Sequence, residues 1–272
     1  MSSNNFRREA VSLAAKACYR LPGAFTLARL LGSEYSVRCL VFHHIAEEDS
    51  PFTRGINVRT SPAEFEAALQ FISAHYTPVH MNDLLDSATS NLPRRPILVT
   101  FDDAYASVAD IAAPLCKKYK IPAVFFVNAA FLDNLDLAAD NLVCYAASTQ
   151  GMSVINTAAR EVKEQESIEY GSLRQVFGDF FPSLTVSERR SFAEILRKIL
   201  GVDGARLAQD ARLYVSGSQI RALASFDFEI GNHTYTHVHC RRLSQSDMVE
   251  EIDENKAVLE TLSRNQIRTS IH

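Results

Sequence analysis

The stretch from Pro96 to Val127 restricts the fold more than any other part of the chain. "PILVTF" and "IPAVFFV" are apolar runs of strand length, rich in β-branched and aromatic residues. Between them "YASVADIAAPLCKKY" carries apolar residues at helical spacing. Strand, helix and strand in that order require parallel pairing through a crossover. The class is therefore α/β, where chemistry gathers at the carboxyl ends of the strands. The first of these two strands ends in adjacent carboxylates, Asp102 and Asp103. Two like charges side by side require a compensating partner: solvent, a basic group or a metal ion.

The rest of the chain fits around that unit. "SVRCLVFHHI" reads as a buried strand that ends near His43 and His44, and "SPAEFEAALQFI" as a helix. Ser61 is its N-cap, Pro62 its first residue, and Glu64 completes a capping box. From about 133 to 212 helical patterns dominate, which predicts a helical insertion. Within it "TVSERRSFAEILRKILG" has Thr185 and Glu188 as a capping box and an apolar face of Phe192, Ile195, Leu196, Ile199 and Leu200. "SGSQIRALASFDFEIGNHTYTH" then returns to helix, strand and loop. A last helix, capped by Ser244, carries a stripe of Met248, Ile252, Leu259 and Leu262. The expected organisation is an N-terminal basic amphipathic segment over 1–33 and one domain over 34–272.

Composition narrows the class of partner. With 272 residues and a net charge of −4, the chain has a substantial core and none of the basic excess of nucleic-acid binders. Its five cysteines, Cys18, Cys39, Cys116, Cys144 and Cys240, include no C-x-x-C pair and read as buried free thiols in a reducing compartment. No apolar run has the roughly 18 residues of a membrane span. The segment 1–33 lacks an uninterrupted signal-peptide core, so the expected location is cytoplasmic. Its basic, amphipathic pattern also suits peripheral contact with an anionic membrane surface.

Two motifs carry chemistry. "HTYTH" sets His233 and His237 four apart, a spacing that lets two imidazoles meet one ion from a helix face or from a bent loop; its threonines and the preceding "EIGN" favour the loop. Taken singly, such a pair also arises by chance, and an Asp-Asp pair also serves as a helix cap or a solvated turn. Neighbouring strand residues point to opposite faces, so both carboxylates reach one site only if the strand breaks there. Taken together, two neutral histidines and one carboxylate make a three-ligand set with an open position, the pattern of a catalytic site. The other carboxylate is then free to act as a base. His43, His44 and Tyr105, beside these strand ends, are candidate substrate-binding residues. His239 is a weaker competitor for metal, and His75 and His80 read as ordinary surface or strand residues.

At these residues the chain resembles the polysaccharide deacetylase family, the chitooligosaccharide deacetylase-like carbohydrate esterases. "TFDDAY" is similar to the family's T-F-D-D-G-x motif and "HTYTH" to its H-[ST]-x-[ST]-H motif. "CLVFHHI" and "IPAVFFV" are similar to the strands flanking the first motif. The resemblance spans roughly Val37 to Leu262 apart from the helical insertion. It implies an incomplete (β/α) barrel and a divalent metal, Zn²⁺ above all, on Asp103, His233 and His237, with Asp102 as general base. The implied reaction is hydrolysis of an N-acetyl group on an amino sugar of a polysaccharide or oligosaccharide.

The sequence departs from the family after the second motif. An Arg and Pro-Gly segment, an Asp-Trp segment and a Leu-x-His segment that supplies the acid are expected there. This chain has no tryptophan, no proline after Pro182 and no glycine after Gly231, and the terminal "TSIH" with His272 does not match the acid motif. Three readings follow: a metal-dependent N-deacetylase, a non-catalytic or truncated relative that binds glycan or a partner, and an amide hydrolase on a non-sugar substrate. A barrel that lacks a strand would also expose a sheet edge suited to self-association.

Overall fold

The computed structural model describes residues 34–86, 92–165, 167–226, 228–240 and 243–269. The expected N-terminal helix over 1–33, Cys18 and the terminal His272 lie outside them. The sheet contains β1 (Arg38–Phe42), β4 (Thr77–Pro78), β5 (Pro96–Phe101), β6 (Val124–Val127) and β7 (Glu229–Asn232). Its path runs β1-β5-β6-β7, every pair parallel, with Phe42 opposite Phe101, Phe101 opposite Phe125 and Val127 opposite Asn232. Strand β4 pairs with the start of β5 and β6 with its end. Two short strands, β2 (His44–Ile45) and β3 (Arg59–Thr60), form a separate parallel pair.

Side chains alternate across this sheet as parallel strands covered on both faces require. Ile97, Val99, Phe101, Phe125 and Val127 enter the main core, while Leu98, Val124 and Phe126 face the other way, under Met81 and Leu84. Helix α1 (Pro62–His75) opens on the predicted capping box and buries Phe65, Leu69 and Ile72. Helix α2 (Met81–Asp86) follows β4. The crossover after β5 is a π-turn, Val108–Ala112, running into α3 (Ala113–Tyr119). Proline at 114 has no N–H to give the helix ladder, and the wide turn sits directly before it.

Between β6 and β7 lie α4 (Ala139–Thr149), α5 (Met152–Lys163), α6 (Val186–Leu200), α7 (Gly204–Ala211) and α8 (Gly217–Ser225). The first four surround a core of their own, with Leu142, Ile155, Phe180, Phe192 and Leu196 at its centre. Helix α9 (Gln245–Ser263) packs behind β7, and the carbonyl of Thr269 accepts the N–H of Asn232 at 2.9 Å. The segment after α9 therefore runs beside the outer edge of β7.

Two expectations need correction. The first strand is not buried: Leu40 and Val41 are exposed, as is Cys39, because β1 is the outermost strand of the path with a neighbour on one side only. That strand ends at Phe42, directly before the two histidines, as expected. The stripe on α9 is displaced. Its deepest residues are Glu251, Asn255, Leu259 and Ser263, of which Asn255 bonds to the ends of β6 and β7 and Glu251 to the loop after β7, while Met248, Ile252 and Leu262 flank them half-buried.

Candidate active site

Four strand ends build the site, each with the first residue past its last strand position. These are His43 after β1, Asp102 after β5, Asn128 after β6 and His233 after β7. Parallel register brings those ends to one rim of the sheet. They border a cavity of about 720 Å³ that Asp103, Tyr105, Asp140, His237 and His239 also line.

The strand does break at the carboxylate pair. Asp103 has φ 67° and Ala104 φ 54°, both left-handed, so the chain turns sharply and both carboxylates reach the cavity. The turn is held from across the molecule. Ala106 N–H donates to Leu213 O and Val215 N–H to Ala104 O, so the segment leaving the helices pairs with the turn that follows β5.

The loop with the histidines is irregular, as the sequence reading favoured, and buried polar groups hold it. Asn128 donates its amide to the carbonyls of His233 and Thr234. Asn232 Oδ1 accepts from Thr234 N–H at 3.0 Å, and Asn255 of α9 donates both to that Oδ1 and to Val127 O at 2.7 Å. Glu251 accepts from Thr236 N–H at 2.7 Å and from its hydroxyl at 2.5 Å. Sequence reasoning missed Asn128, Asn232, Glu251 and Asn255. The only available signal was a polar residue directly after or within an apolar pattern.

Asp103 Oδ1 lies 3.2 Å from His233 Nε2 and 3.3 Å from His237 Nε2. One ligand atom from each of the three residues falls within 4.8 Å of the other two. A tetrahedral ion with bonds of about 2.0–2.1 Å sets its ligand atoms roughly 3.3 Å apart. Both distances from the carboxylate oxygen match this separation, and two imidazole nitrogens with one carboxylate oxygen are the ligand chemistry of a divalent ion such as Zn²⁺. Asp102 stands beside this group with Oδ2 3.9 Å from His43 Nε2. Its Oδ1 is buried and accepts no hydrogen bond from the protein.

Electrostatics separate the two carboxylates. Burial pushes Asp102 up, against the opposing pull of His233 and His43. Burial also disfavours ionised Asp103, but the charge of His237 and the hydrogen bond from His233 outweigh it and hold that carboxyl low. Burial works against a charged His237 as well. The carboxylates of Asp103 and Asp140 prevail and push it up to about 9, so a proton and a metal ion compete for the same Nε2.

His237 Nδ1 is bonded to Asp140 Oδ2 at 2.9 Å, and Arg189 Nη2 donates to the same oxygen at 2.6 Å. Neither residue was anticipated from the sequence. Tyr105 lines the cavity, its hydroxyl accepting from Asn141 Nδ2 at 2.8 Å. Of the two neighbouring histidines only His43 faces the cavity; His44 Nδ1 is bonded to Ser107 Oγ at 3.0 Å.

Solved structures with this architecture include a deacetylase, PplD, of Streptococcus pyogenes (14% identity, TM-score 0.53, covering 86% of this chain and 72% of that one). IcaB of Ammonifex degensii is 17% identical with a TM-score of 0.51, over 88% of this chain and 73% of the other. A de-N-acetylase of Aggregatibacter actinomycetemcomitans is 14% identical with a TM-score of 0.50, over 85% and 77%. At this identity the likeness establishes the fold, of (β/α) barrel type, here with an open strand path among the described residues. No curated protein sequence matches the chain. The family model for polysaccharide deacetylases matches residues 89–167 and 197–270, more than half of the sequence, including both motifs. The chain belongs to the polysaccharide deacetylase family.

Proposed function

We propose that this protein is a metal-dependent hydrolase that removes N-acetyl groups from an amino sugar of a polysaccharide or oligosaccharide. The observation that carries the reading is the convergence of Asp103, His233 and His237 at ion-ligand separations beside the unbonded, buried Oδ1 of Asp102. A divalent ion there supplies a Lewis acid for the amide carbonyl and lowers the pKa of water from about 15.7 to roughly 7. Asp103, His233 and His237 would hold the ion, leaving one side open to the cavity. Asp102 takes the proton of the attacking water on Oδ1, and its raised pKa suits a base that must later give that proton up.

The leaving amine needs a proton, and the family's acid motif is not in this sequence. His43, at the same rim and 3.9 Å from Asp102, is a cavity histidine left to donate it once Asp103, His233 and His237 hold the ion. Phe177, half-buried in the cavity wall, gives it an apolar surface on which a sugar ring can pack, whereas Tyr105 is buried within that wall.

The test is metal analysis together with acetate release from N-acetylated oligosaccharides. His237→Ala is expected to lose bound metal. Asp102→Asn should keep the metal and lose acetate release. His43→Ala should keep the metal and slow release by about 10²–10⁴, the usual size of general-acid help. Unchanged metal content in His237→Ala removes the site. Metal binding with no acetate release from wild-type protein favours a glycan-binding role instead.

A further inference from the structure

We propose that the helical segment between β6 and β7 is a working part of the metal site, through Asp140 and Arg189 acting as positioning residues for His237. This inference rests on the metal-dependent reading above and adds to it.

Asp140 lies in the first turn of α4 and Arg189 in the first turns of α6, far apart in sequence. The Arg189 side chain is only 7% exposed, with its guanidinium stacked 4.5 Å over the Phe181 ring. A buried arginine is costly to keep unless it is paired, and replacing such a pair by apolar residues often does not weaken a fold. A stability role alone is therefore a poor account of this pair. Its geometry supplies another. Asp140 Oδ2 accepts from Arg189 at 2.6 Å and meets His237 Nδ1 at 2.9 Å. With Nδ1 bonded to a carboxylate, Nδ1 keeps the hydrogen in the metal-binding form and Nε2 is the ligand atom, 3.3 Å from Asp103 Oδ1.

The backbone makes this support necessary. His237 has φ 56° and Thr234 φ 63°, so the loop delivers its second imidazole from a left-handed residue outside any regular element. Ring orientation there depends on side-chain partners. Arg189 in turn lies within 168–196, the stretch that the family model leaves unmatched. The first sequence motif, the second, and a helix that the family model leaves mostly unmatched thus meet at one imidazole.

The control is a second ion pair across the same two regions. Arg197 of α6 donates to Asp136, just before α4, at 2.8 Å and touches neither histidine. Zn²⁺ affinity is to be measured by chelator competition, with the visible spectrum of the Co²⁺-loaded protein as a report on ligand geometry. Asp140→Asn is expected to weaken Zn²⁺ binding by about 10- to 100-fold and to alter the Co²⁺ spectrum. Arg189→Met should shift both in the same direction, and Arg197→Met should leave both unchanged. Wild-type affinity in Asp140→Asn overturns the inference, as does an equal loss in Arg197→Met, which would mean general loosening of the helices. A wild-type protein that takes up no metal overturns the reading beneath it instead. Metal-free thermal unfolding of each variant separates misfolded protein from weakened binding.

Discussion

At the scale of single residues, the site depends on a conformation that alanine tolerates poorly. Ala104 sits at φ 54° directly after Asp103 at φ 67°, and a left-handed L-residue costs roughly 1–2 kcal/mol. The family motif carries glycine at this position, and the structure shows why: the turn that aims both carboxylates into one cavity needs a residue free of that cost. Alanine is retained here with its methyl buried in the main core. Ala104→Gly removes the left-handed cost but gives up a buried methyl worth about 0.8 kcal/mol and adds about 0.5–1 kcal/mol of chain entropy. These terms nearly cancel, so urea unfolding should place the variant within about 1 kcal/mol of wild type. A buried alanine in ordinary helix or strand geometry would show a clear loss on the same change. A drop of 3 kcal/mol or more would mean that the methyl, not the turn, dominates at this position. The two motifs and the meeting of Asp103, His233 and His237 were legible because the residue types a shared ion would need are fixed by chemistry. Asp140 and Arg189 were not, because a charged residue inside a helix reads as solvated until a partner from another element is seen beside it.

At the scale of elements, β7 is fitted to its neighbour by the lack of a side chain. A Cβ placed on Gly231 would stand 2.3 Å from Cδ1 and 2.4 Å from Cε1 of Phe126 on β6. Phe126 is itself buried against Leu98 and Val124 and has nowhere to move. Gly231→Ala is therefore expected to cost about 1–3 kcal/mol or more through overpacking. Because Asn232 and His233 follow immediately, metal uptake should fall with it. Thermal unfolding and metal content checked together would expose a discrepancy; a variant as stable as wild type would mean that β6 and β7 sit farther apart than described. The strands, the capping boxes of α1 and α6 and the parallel crossover were legible because apolar periodicity and cap residues are local signals. The face of α9 was not. Its apolar residues predicted a stripe, whereas the helix buries Asn255 completely and Glu251 nearly so, since Asn255 satisfies backbone groups at the end of β6 and Glu251 the Thr236 N–H of the histidine loop. The exposure of β1 was equally hidden, because an apolar strand at the edge of a sheet has the same pattern as one at its centre.

At the scale of the whole molecule the described residues form two large hydrophobic cores, one around the sheet and one inside the helical segment, beside the smaller cluster on the sheet's other face. They are joined by polar contacts rather than by continuous apolar packing at the site. Tyr214 donates to Asn141 Oδ1 at 2.5 Å, Asn141 donates to Tyr105, and Asp140 bonds His237. An ion bound by the native state alone stabilises it by about 4 kcal/mol at a thousand times its dissociation constant. Where that protection appears depends on which elements must be in place for binding. If His237 is held by Asp140 and Asp140 by Arg189, then opening of α4 or α6 releases the imidazole, and binding must suppress that opening. Hydrogen exchange should then show slower amides on Zn²⁺ addition in α4 and α6 as well as in the loop 233–239. Helix α1, which packs on the sheet core and contributes no residue to the cavity, should gain only through global unfolding. Protection confined to the strand ends and the loop would make the helices an independent unit resting on the barrel. Protection that reaches α6 makes the two cores one cooperative body whose junction is the rim of the cavity, and through Arg189 it brings the stretch that the family model leaves unmatched into the control of metal affinity.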